Sequence, residues 1–109
     1  MTKDQLEKMA ESAFANLQAT REALFAAAEK SIYTAMKLED EKSALLQSGK
    51  IDGKNEEIRK AQIRDLTGGT FNELAVMQNH ERKARYDFDK ALTDVETVKT
   101  LLRIAELVE

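Results

Sequence analysis

Histidine occurs once in this chain, at position 80, and cysteine is absent. Thiolate metal sites, cysteine nucleophiles and disulfides are therefore excluded from the sequence alone. His80 stands among Asn79, Glu81 and Arg82, with no nucleophile or orienting partner near it in sequence. It reads as a solvent-facing helical residue rather than a general base. A carboxylate-bridged di-metal bundle requires Glu-x-x-His on two helices; here Met77 stands three residues before His80. The run Glu39-Asp40-Glu41 occupies consecutive helical positions that point in different directions, which is poor geometry for a cation. Asp52-Gly53-Lys54-Asn55 opens like a calcium loop but lacks the closing glutamate. Thr67-Gly68-Gly69-Thr70 is not followed by the lysine that a phosphate-binding loop requires. No catalytic, cofactor-binding or metal-ligating residue is assigned, and a non-enzymatic protein without a cofactor is expected.

The densest basic cluster is Arg82-Lys83-Ala84-Arg85-Tyr86. With Arg59, Lys60 and Arg64 it could form a positive strip for nucleic-acid phosphates. Asp87 and Asp89 offset it, so a nucleic-acid-binding accessory protein is the alternative reading, and surface ion pairing along helices the simpler one. Charge is spread evenly over the whole chain: 17 basic and 20 acidic side chains give a net −3. No region carries the single-sign field of a nucleic-acid clamp or a membrane-surface anchor.

The elements that must position these residues follow from composition. Of 109 residues none is proline and four are glycine, while charged residues reach 34% and aromatic residues 6%. Without proline, the backbone hydrogen-bond ladder of a helix can run for many turns. The N-terminal Met1-Thr2-Lys3-Asp4-Gln5 has no apolar signal core. The apolar run from Ala23 to Ala28 is far short of the ~20 residues of a membrane span. A soluble, cytoplasmic protein with no membrane partner is expected.

One helical domain is predicted over residues 1–109. Thr2 and Gln5 form a capping box, and helical signals run from about residue 3 to 48. Gly49 is placed to close that helix in the left-handed region, opening a turn over 49–53. Asp52 or Asn55 caps a second helix at about 54–66, with Glu56 and Glu57 in its first turn. Gly68-Gly69 costs a helix ~2 kcal/mol relative to alanine, and Thr70 with Glu73 offers a new capping box. A break at 67–70 is therefore expected, followed by a helix at about 71–107.

The last segment has the clearest pattern. Leu74, Met77, Glu81, Ala84, Phe88, Ala91, Val95, Val98, Leu102 and Ala105 alternate spacings of three and four, an a/d seam over more than four heptads. The fold class that follows is all-α: a long antiparallel helical hairpin, coiled-coil-like, its return arm broken near Gly68-Gly69. With the turn near Ile51, residue i is predicted to face roughly residue 102 − i, which puts Arg21 opposite Glu81. The first helix spreads Phe14, Phe25, Ile32 and Met36 over too wide an arc for one partner. A homodimer forming a helical bundle is therefore expected. Its core would draw on those four residues together with Leu74, Met77, Phe88, Val95, Val98 and Leu102.

The stretch Gly53-Lys54-Asn55-Glu56-Glu57-Ile58-Arg59-Lys60-Ala61-Gln62 resembles a turn-and-helix-start pattern of small helical proteins encoded by tailed bacteriophages and prophages. In those proteins such a stretch follows one long helix and precedes another. The likeness covers about ten residues and the helix–turn–helix layout. It implies a phage or prophage accessory protein in the cytoplasm of a bacterial host, binding itself and an unidentified protein, with no reaction and no functional residues attached. Gly53 and Asn55 also suit a turn and a helix cap on physical grounds alone.

Overall fold

Among the described residues three helices form, and their ends are fixed by local side-chain chemistry. The computed structural model describes residues 1–108, with α1 at Lys3–Ser48, α2 at Glu56–Leu66 and α3 at Gly68–Val108. At the start of α1 the Thr2 N–H donates to Gln5 Oε1 at 2.8 Å, and the Gln5 N–H donates to Thr2 Oγ1 at 3.2 Å. This reciprocal capping box satisfies two donors that the first turn leaves open. Gly49 closes α1 at φ 76°, a left-handed conformation that costs a residue with a Cβ far more than glycine. Asn55 caps α2, its Oδ1 accepting from the Ile58 N–H at 2.9 Å. Helices α1 and α3 run antiparallel, with the short α2 between them in the chain.

The connection binds to α2 rather than closing tightly on α1. Gly53 N–H donates to Gln62 Oε1 at 3.0 Å, Gln62 Nε2 donates to Asp52 Oδ1 at 2.7 Å, and an Arg59 guanidinium nitrogen donates to the Gly53 carbonyl at 3.3 Å. A Cβ on Gly53 would lie 2.7 Å from Ile58 Cγ2 and 3.0 Å from the Arg59 backbone nitrogen. Glycine is required there because the loop backbone lies against the helix. Gly53, Asn55, Arg59 and Gln62 thus build a turn that fastens itself to the helix it starts.

The expected break at 67–70 narrows to one residue. Thr67 (φ −109°, ψ 12°) separates α2 from α3, while its N–H still reaches the Ile63 carbonyl and its own carbonyl accepts from Phe71 N–H, both at 2.9 Å. Gly68, Gly69 and Thr70 are helical. The capping box expected from Thr70 and Glu73 does not form, because both side chains reach across to α1. Thr70 Oγ1 donates to Glu41 Oε1 at 2.8 Å, and Lys37 Nζ donates to Glu73 Oε2 at 3.4 Å. The propensity cost of two glycines is outweighed by tertiary contact on the same turn.

Two compact units divide the chain: Met1–Ala26 with the residues from Arg82 onward, and Ala27–Glu81. In the first, Ala13, Val95 and Val98 form a buried cluster flanked by Ala10, Leu17 and Leu102, and Leu6 and Ala91 are also buried. In the second, the buried residues are Leu38 together with Ser31, Thr34, Thr67 and Thr70. Two of these hydroxyls are spent on their own helix: Thr34 Oγ1 donates to the Lys30 carbonyl at 2.8 Å and Thr67 Oγ1 to that of Ile63 at 2.7 Å. Such bonds let a polar residue sit in a seam without an orphaned donor.

The register differs from the expected one. Lys37 meets Glu73 and Glu41 meets Thr70 in one unit, and Ala13 packs with Val95 and Val98 in the other. Facing residue numbers therefore total about 111 rather than 102, a shift of roughly two and a half helical turns. In the first unit this sets Arg21 level with Lys90, and in the second it sets Glu81 level with Lys30, so the pairing expected between Arg21 and Glu81 is corrected. The cause is the connection. Residues 49–55 are not helical and bind α2, so the reversal is centred near Asn55 and not at Ile51.

Candidate interaction surface

The a/d line read along α3 is the face that packs. Every member from Leu74 to Ala105, Glu81 included, is buried or half-buried. The line also continues backward with the same spacing through Thr70 and Thr67, both buried. Sequence reading missed those two because threonine is not counted as apolar.

On α1 the packing face is composed differently from what large apolar residues suggest. Leu6, Ala10, Ala13, Leu17, Thr20, Leu24, Ala27, Ser31, Thr34, Leu38, Glu41 and Leu45 alternate spacings of four and three, and all are buried or half-buried. Half are small. Interhelical distance in such a pairing is set by the side chains at the contact, roughly 8–10 Å between axes. In the first unit Ala10, Ala13 and Leu17 pack with Val95, Val98 and Leu102. The signal for this face lay in a four-three recurrence that mixes Leu with Ala, Ser and Thr.

Several other large apolar side chains of α1 point outward. Phe14, Phe25, Ile32 and Met36 are exposed, Phe25 to 66% and Met36 to 62%. Of the ten residues expected in an oligomer core, Leu74, Met77, Phe88, Val95, Val98 and Leu102 pack within the chain. The other four are left open. A second four-three line runs beside the packing face of α1 through Phe14, Gln18, Arg21, Phe25, Ala28, Ile32, Ala35, Glu39, Lys42 and Leu46, all exposed or half-buried. Among its polar members, Gln18 Nε2 donates to Glu22 Oε1 at 3.0 Å, and Lys42 pairs with Glu39 at 3.3 Å. These exposed contacts contribute little to stability.

The basic residues considered for phosphate binding fall in both units: Arg59, Lys60 and Arg64 on α2 in one, Arg82, Lys83 and Arg85 on α3 in the other. Arg59 is engaged with the Gly53 carbonyl and Lys60 with Glu56 at 3.3 Å. Arg82 and Arg85 also have interaction partners. Arg64 lies in the last turn of α2, where a cation opposes the helix dipole favourably. His80 is exposed. Among the described residues no three His, Asp or Glu side chains converge to hold a metal ion, and no helix is long and apolar enough to cross a membrane. In the first unit an open groove of about 520 Å³ is lined by Lys8, Met9, Ser12, Ala13, Asn16, Asp94, Thr97 and Val98. No protein-family model, curated protein or solved structure matches this chain.

Proposed function

We propose that this chain is a non-enzymatic interaction protein that self-associates through the outward face of α1 and serves as a structural accessory. The supporting observation is a second apolar face on α1: Leu6, Leu17, Leu24, Leu38 and Leu45 pack inward, while Phe14, Phe25, Ile32 and Met36 are turned toward solvent. Exposed apolar side chains scattered singly need no explanation, but a periodic line of them on a helix fits a surface that is covered in the assembled state. The likeness of residues 53–62 to phage and prophage proteins supports the narrower reading of a phage-encoded accessory. It carries no partner with it.

Sedimentation of the purified chain tests the reading. A concentration-dependent species of about twice the 12.3 kDa chain mass is expected, and a well-folded monomer at all concentrations overturns it. A shift on DNA or RNA that weakens steeply with salt would instead place the chain among nucleic-acid accessory proteins.

A further inference from the structure

The outward line of α1 is complementary to itself when read backward, and this rests on the self-association proposed above. Helix α1 is uninterrupted from Lys3 to Ser48, so the line is set by helical periodicity alone. We infer that two copies of the chain pair α1 against α1 antiparallel, about a twofold axis level with Lys30. In that register Arg21 of each copy meets Glu39 of the other. Phe25 meets Ala35 and Ile32 meets Ala28, a large side chain against a small one each time. The ends of the line, Phe14 and Leu46, meet each other.

Other alignments of the same line lose these matches. Shifting by one heptad sets Arg21 against Ile32 and Phe14 against Glu39, or, in the other direction, Arg21 against Leu46 and Phe25 against Lys42. A parallel pairing sets Arg21 on Arg21 and Glu39 on Glu39. Like charges placed directly opposite and charges aimed at apolar side chains are the usual means by which helix pairs reject a wrong register. Glu39 is already paired with Lys42 at 3.3 Å, and that contact is exposed, so sharing the carboxylate with an incoming Arg21 costs little.

Sedimentation of full-length charge-reversal variants reads the register. Arg21→Glu alone and Glu39→Arg alone are each expected to weaken dimerisation on the order of tenfold, because the twofold repeats every mismatch. The double variant restores it. Circular dichroism checks that helix content is unchanged in all three. The chain has no cysteine, so a second test is free of background: Gln18→Cys mixed with Lys42→Cys should give a mixed disulfide dimer, with neither variant cross-linking to itself. If the wild type dimerises but reversal has no effect, or the single variants self-cross-link, this register is wrong and self-association stands. If the wild type stays monomeric, both fall.

Discussion

The unit built from the chain ends and the unit built around the connection use the same four-three geometry with opposite chemistry. The first buries Leu6, Ala13, Ala91, Val95 and Val98; the second buries Ser31, Thr34, Thr67 and Thr70 around Leu38. Removing apolar surface from water stabilises by roughly 25 cal/mol per Å². A helix-bound threonine hydroxyl contributes little beyond avoiding an unsatisfied group. The difference teaches that spacing is enough to align two helices, while the composition of the seam decides where stability resides. Both units leave large apolar side chains exposed, among them Phe14, Phe25 and Tyr86 in the first and Ile32, Tyr33, Met36 and Phe71 in the second, so apolar surface of each is available for burial by association.

The sharpest way to break this contrast is to put a charge into the apolar seam. Val95→Asp, at a site 3% exposed, is expected to cost at least about 4 kcal/mol by burying an unpaired carboxylate, with the loss of helix content read by circular dichroism in denaturant. Leu38→Ala comes next, with an expected loss of about 3 kcal/mol. As Leu38 is the buried apolar residue of the second unit, a negligible effect would show that this unit does not depend on its seam at all.

Two substitutions should stabilise. Ser31 is 7% exposed and its Oγ has no hydrogen-bond partner among the described residues. Ser31→Ala is therefore expected to raise stability by about 1 kcal/mol, seen as a higher unfolding midpoint. A fall would mean that the hydroxyl has a role the packing does not reveal. Gly69→Ala should add about 0.8 kcal/mol, since the residue is helical and a Cβ there meets nothing within 4 Å. If thermal unfolding shows instead a loss, the junction after Thr67 needs the freedom that glycine gives it.

Much of the architecture was legible because it is local. Thr2 with Gln5, Asn55 and Gly49 mark helix ends through hydrogen bonds or backbone conformations that span only a few residues. The α3 line is legible for the same reason, as its a/d residues are mostly apolar and need no knowledge of the partner helix. The candidate surface was legible only in part: Phe14, Phe25, Ile32 and Met36 stood out as more than one partner helix could cover, but sequence treats Phe14 and Val95 alike as apolar although one is exposed and the other buried.

Sequence by itself therefore determined that this chain forms long helices, where α1 starts and stops, and which face of α3 packs. The tertiary structure alone decided which face of α1 meets it, how far the two helices are offset, and that Gly68-Gly69 continues as helix. Those outcomes depend on fit between distant side chains. In the first unit Ala10, Ala13 and Leu17 of α1 pack with Val95, Val98 and Leu102 of α3, and the offset follows from a connection that binds α2 through Gly53 and Gln62.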